Sequence, residues 1–167
     1  MKNDTMKLLE SIQNNLNEDE YEGNVNHSTL PKPTNKSSFE GFDISKVSND
    51  DKYKLYQEFL DNPDTIEEEG FNGAYVTEMT PQEYMDLSRL YVKADLPKLN
   101  DLSKLSDLNG EYSYFAKICY DFADKMKQGD KFPLPILDFR YKEQDGRHRV
   151  IAAYINNYST IPVLICY

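Results

Sequence analysis

The chain has 167 residues, 39% of them apolar, and a formal charge of -10. That size suits one domain with an added arm, and no run of ~18 apolar residues is present to cross a membrane. Acidity is concentrated early: residues 1–70 hold 7 Lys/Arg against 16 Asp/Glu, while residues 138–167 hold 4 against 3. A uniformly acidic surface disfavours binding to the DNA backbone, whereas a near-neutral C-terminal part permits a local anion site.

Met1 to Leu16 has no apolar stretch followed by a small-residue cleavage site and does not read as a secretory signal. Met6, Leu8, Leu9, Ile12 and Leu16 predict a short amphipathic helix. Gly23 to Ser38 reads as a linker with few apolar anchors, and His27 within it carries no expected chemistry. Residues 1–50 are therefore expected to form an acidic arm, helical or partly disordered, and residues 51–167 the folded domain. The arm's charge allows a non-enzymatic role, in which it binds a protein partner or mimics nucleic acid. Two cysteines, Cys119 and Cys166, are too few for a disulfide framework or a zinc site and predict buried free thiols. That suits a reducing, cytoplasmic setting.

Asn49 or Asp50 is positioned to cap a helix over Asp51 to Leu60, with Tyr53, Tyr56, Phe59 and Leu60 at helical spacing. Asn62-Pro63 stops it. Glu67, Glu68 and Glu69 are adjacent residues that cannot all face one ion, so they read as solvated surface. Gly73 to Met79 reads as a strand, followed by a helix start in which Thr80 caps, Pro81 takes the first position and Glu83 completes a capping box. Leu96, Leu99, Leu102, Leu105 and Leu108 predict helical turns lying on the body. Glu111 to Gln128 is the strongest helical pattern. Its apolar stripe comprises Phe115, Ile118, Cys119, Phe122, Ala123 and Met126, and Gly129 supplies the left-handed end.

The last 35 residues carry the organising unit. Pro133 and Pro135 delay a strand that ends at Phe139, with Leu137 and Phe139 facing the core and Asp138 pointing away. Arg140 to Asp145 is polar and suits a second hairpin arm or a loop. A helix begins near Arg147, with Val150, Ile151, Tyr154 and Ile155 at helical spacing, and Ile161 to Tyr167 returns as a parallel strand. The predicted fold class is α/β (α+β), a small mixed sheet with flanking helices.

This geometry singles out a candidate site. A helix start offers unpaired amides and partial positive charge, and Gly146 permits a sharp turn and close ligand approach. Arg147 and Arg149 add guanidinium forks, and His148 adds a ring nitrogen that titrates near neutrality. Glu143 and Asp145 stand just upstream, where they can hold the arginines, bind magnesium or act as a base. The favoured ligand is a phosphate or other oxyanion. The competing account is structural: the arginines pair with Asp145, Glu143 or Asp138, and His148 only donates to a buried carbonyl.

The run Glu143-Gln144-Asp145-Gly146-Arg147-His148-Arg149-Val150-Ile151-Ala152-Ala153, followed by Ile161-Pro162-Val163-Leu164-Ile165, resembles the ParB/sulfiredoxin superfamily, most closely its small phage and mobile-element domains. Met79 to Tyr84 and the proline-rich stretch from Gly129 to Asp138 fit the same pattern, so the resemblance spans residues 71–167. It implies a compact α/β domain that binds a nucleotide, ATP or CTP with magnesium, at the matching helix. Gly146, Arg147, His148 and Arg149 would cradle phosphates; Asp145 and Glu143 would hold the metal; Glu143, Asp145 and His148 would carry phosphoryl transfer or phosphate hydrolysis. It also implies a bacterial or phage-infected host cell. Members of the superfamily include CTP-hydrolysing partition proteins, ATP-using sulfiredoxins, nucleases and kinases of free serine. Arg147 stands where sulfiredoxins carry their catalytic cysteine, so sulfinic-acid reduction is not expected. No helix-turn-helix follows the last strand, so DNA clamping by that route is not expected either. A nuclease or DNA-associated role needs a wider basic surface than this charge allows.

Overall fold

The computed structural model describes residues 30–64, 72–91 and 113–167. The expected helix in residues 1–16, the acidic run at 67–69 and the leucine-spaced connector at 95–110 lie outside the described residues.

The architecture grows from β4 (Ile136–Asp138), β5 (Glu143–Asp145), α4 (Arg147–Ile155) and β6 (Ile161–Cys166). β4 and β6 run parallel, with Ile136 opposite Leu164, and α4 lies in the connection between them. β5 folds back antiparallel on β4 as a hairpin, so residues 140–145 form the second arm that their polarity allowed. β2 (Ala74–Met79) pairs antiparallel with β6, giving a four-stranded sheet of order β2-β6-β4-β5. Pro162 costs this central strand nothing on the β4 side. Leu164 N–H donates to Pro135 O at 2.9 Å, and the same side of residue 162 lies before β4 begins.

Both faces of β6 are buried along its whole length, which its unbroken apolar run requires. On one face, Met79, Leu137, Ile161, Val163 and Ile165 pack with α2 (Pro81–Tyr91), α3 (Ser113–Lys127) and α4. On the other, Ala74, Ile136, Leu164 and Cys166 pack with Val47, Leu134, Tyr56 and Phe59. Tyr56 and Phe59 come from α1 (Lys54–Asp61), which is preceded by a 3-10 turn over Asp51–Tyr53 capped by Asp50. The first turn of the expected 51–60 helix is thus wound tighter than an α-helix. The result is a small mixed α/β domain with a sheet between unequal helical layers.

The predicted helix ends are present. Thr80 N–H donates to Glu83 Oε2 at 2.6 Å, and Glu83 N–H donates to Thr80 Oγ1 at 3.1 Å, a reciprocal capping box. At the end of α3, Asp130 N–H reaches Lys125 O and Gly129 N–H reaches Met126 O, with Gly129 at φ 99°.

One expectation is corrected: the domain does not start at residue 51. Phe39, Phe42 and Val47 are buried in the core, and β1 (Phe42–Asp43) pairs in parallel with β3 (Phe132–Pro133). Thr34 N–H also donates to Val76 O, so the chain near Pro33 covers the outer edge of β2. Asp138 points away from Leu137 and Phe139, as expected, and the α1 layer buries that face too, leaving it 1% exposed. The two cysteines are buried free thiols, as expected, and burial pushes Cys119 up to about 12. No helix among the described residues is long and apolar enough to cross a membrane.

Candidate functional site

The hairpin delivers three carboxylates to the α1 side. Asp138, Glu143 and Asp145 share a face because Asp138 pairs with Glu143 across the strands and Asp145 lies two residues on. Asp138 is held by Arg140: Arg140 Nη2 donates to Oδ2 at 2.9 Å, and Arg140 Nε and N–H donate to Oδ1 at 3.2 and 2.9 Å. The guanidinium also lies over Phe59, 5.0 Å from the ring centroid. Tyr56 OH stands 3.1 Å from Asp138 Oδ2 and 3.0 Å from Glu143 Oε2, so one hydroxyl proton serves two carboxyl groups. Burial, reinforced by the charge of Asp138, pushes the Tyr56 phenol upward, keeping it protonated as the donor to these carboxylates.

Asp145 links the hairpin to the helix start. Its Oδ2 accepts from Arg149 Nη2 at 2.7 Å and its Oδ1 from Tyr53 OH at 3.0 Å. Arg149 Nη2 further contacts Leu134 O at 3.3 Å, so this guanidinium clamps the turn against the proline-rich strand. Behind the turn, the buried Tyr84 OH donates to Asp145 O at 2.6 Å and lies 3.1 Å from Gln144 Oε1. Burial pushes the Tyr84 phenol upward as well.

Gly146 precedes α4 at φ 106°, and Arg147 is the first helical residue, as the sequence predicted. Among the described residues no side chain caps this start, so the amides of its first turn are open to another acceptor. The reason for glycine differs from the expectation. A Cβ here would come within 2.9 Å of Pro135 Cα and 2.8 Å of Arg149 Nη2, so this side of the turn is closed by packing and admits no ligand.

The predicted site residues therefore separate by role. Arg149 and Asp145 pair with each other, as the structural account anticipated. Arg147, half-exposed, makes no ion pair or hydrogen bond with a described residue and is near enough to His148 to disfavour its protonation. His148 turns to α3: its ring lies 4.5 Å from Phe115 and 6.5 Å from Phe122, centroid to centroid. Burial and then the neighbouring Arg147 and Arg149 hold the imidazole below its usual range, so it packs as a neutral ring at pH 7. Glu143 is exposed at the rim of a cavity of about 420 Å³ lined by Lys52, Tyr53, Tyr56, Lys142, Glu143 and Gln144. Among the described residues no three His, Cys, Asp or Glu side chains converge as a metal site.

Sequence reading missed Tyr53 and Tyr56 as site residues, because helical spacing marked both as core. It also missed Lys142, next to Glu143 in the chain, and Lys52 and Tyr84, which reach the site only through tertiary contact. Comparison with known proteins gives no match to a family model, a curated protein or a solved structure.

Proposed function

We propose that the protein binds a nucleotide or other phosphorylated ligand at the start of α4, with a ParB/sulfiredoxin-type architecture around it. One observation carries the reading: a helix start that no described side chain caps, with Arg147 beside it unpaired among the described residues, fixed in place by the Gly146 turn and the Asp145–Arg149 pair. Exposed first-turn amides and the helix dipole favour a phosphate, and a free guanidinium supplies a second, charge-assisted contact. Arg149 contributes by holding the turn, a smaller role than the direct contact expected of it.

Magnesium would neutralise charge on the ligand's phosphates. Both oxygens of Asp145 already accept from Tyr53 and Arg149, so Glu143 is the carboxylate that would hold the ion together with phosphate oxygens. The arrangement supports binding more than phosphoryl transfer, because His148 and Asp145 are both engaged in packing or pairing. The arm-mediated interaction role was expected of residues 1–50, of which residues 1–29 lie outside the described residues.

Calorimetric titration of the full chain with ATP, CTP, GTP and inorganic phosphate, with and without magnesium, tests the proposal. At least one nucleotide should bind, and Arg147→Ala should weaken it by tenfold or more, about 1.4 kcal/mol or above. Equal binding by the parent and the variant would place any phosphate site elsewhere.

A further inference from the structure

The outer edge of β2 lies across the sheet from β5. It is closed by Leu30-Pro31-Lys32-Pro33-Thr34, which meets it antiparallel at the Pro33–Thr77 bridge. Thr34 N–H donates to Val76 O at 2.9 Å, so the backbone groups of Val76, and by alternation those of Ala74 and Glu78, face this segment. The same alternation turns the backbone of Lys32 and Thr34 toward β2 and that of Pro31 and Pro33 away from it. The prolines therefore stand where a further strand would need N–H donors, and they supply none. Two hydroxyls fasten the segment from the β2 side. Tyr75 OH donates to Pro31 O at 2.5 Å, and Thr77 Oγ1 donates to Lys32 O at 2.6 Å. Lys36 Nζ, 3.8 Å from Glu78 Oε1, adds an ion pair at its far end. The segment is a strap that finishes the sheet, held by side-chain hydroxyls as well as by backbone.

Its surroundings allow it to leave. Lys32 and Pro33 are exposed, as are Asn35, Lys36, Ser37 and Ser38, and the chain is next anchored at the buried Phe39. An uncovered strand edge pairs with any extended backbone that reaches it. β2 of a second copy has the right shape. Laid antiparallel about Val76, two such strands set Ala74 of one opposite Glu78 of the other, so like charges do not face each other. Val76, a partly buried apolar residue, then meets its own counterpart, as a two-fold interface requires.

We infer that residues 30–34 are a displaceable strap that keeps β2 closed, and that its release lets two copies join their four-stranded sheets through β2 into one continuous sheet.

The test follows sedimentation velocity over a concentration series and amide hydrogen exchange of the full chain. Tyr75→Phe with Thr77→Val removes both fastening hydroxyls and keeps strand-forming side chains. Thr34→Pro removes the strap's donor to Val76 and leaves the core and β2 untouched. Val76→Pro, added to each protein, blocks pairing at an edge position whose nitrogen faces outward. The parent should sediment alike with and without Val76→Pro. In the hydroxyl variant the Thr34 amide should exchange about tenfold or more faster than in the parent. That variant and Thr34→Pro should both dimerise with rising concentration, and Val76→Pro should abolish the dimer. Freed straps with both variants still monomeric, or a dimer indifferent to Val76→Pro, overturn the inference. So does a parent association that Val76→Pro removes, or a Thr34 amide as protected without the hydroxyls as with them.

Discussion

Asp138 and Arg140 show how one residue pair shapes the site. Their side chains are 0% and 6% exposed, and the pair lies directly beneath the cavity wall formed by Tyr56. Removing one partner of a buried ion pair leaves the other charge desolvated, which costs ~3–5 kcal/mol. Asp138→Asn should therefore lower the urea midpoint by about that free energy. An unchanged midpoint would mean that the pair is hydrated in solution. His148 makes a prediction of opposite chemical character. Its folded-state proton affinity is held below the ordinary value of 6.5, so the unfolded chain binds the proton more readily. The stability it contributes is complete above pH ~6.5 and is lost as pH falls below that toward the folded value. His148→Phe should keep the ring contact with Phe115 and flatten this acid-side loss, measured as urea midpoints at pH 7.5 and 5.5 relative to the parent. Equal slopes in both proteins would show that the imidazole titrates unhindered.

Helix termini were the most legible elements, because their signals are local. Thr80, Pro81 and Glu83 specify a start within four residues, and the observed reciprocal hydrogen bonds follow directly. Thr80→Ala should cost ~1 kcal/mol in thermal or urea unfolding. A cost near zero would show that packing of Met85 and Leu87 alone fixes α2. The β4–α4–β6 unit was legible for the same reason: two apolar runs bracket a helical pattern with a glycine at its entry. Segment 30–47 was not. Its core contributions are Phe39, Phe42 and Val47, isolated among polar residues with no period of two or 3.6, so pattern reading places them in the arm. The burial of Asp138 was illegible for a related reason. Strand alternation gave its face correctly, but only the presence of α1 and Arg140 makes that face buried.

At the scale of the molecule, the site exists because the sheet has helices on both faces. α2 braces the Gly146 turn from one side through Tyr84, and the 3-10 turn before α1 braces it from the other through Tyr53. Those bracing contacts join residues 61 and 92 positions apart, and Tyr56 meets Glu143 across 87. No local pattern encodes such pairings. The Gly146 turn and the helix start at Arg147 were therefore visible in the sequence, whereas the commitment of Arg149 to Asp145 and the tyrosine-walled cavity were not. The most direct test follows backbone amide resonances of the isotopically labelled full chain during titration with ATP or CTP. The largest shifts should fall on Arg147, His148 and Arg149, with a second group at Glu143 and Gln144. Saturable shifts confined to other surfaces, with these five amides unmoved, would contradict the account.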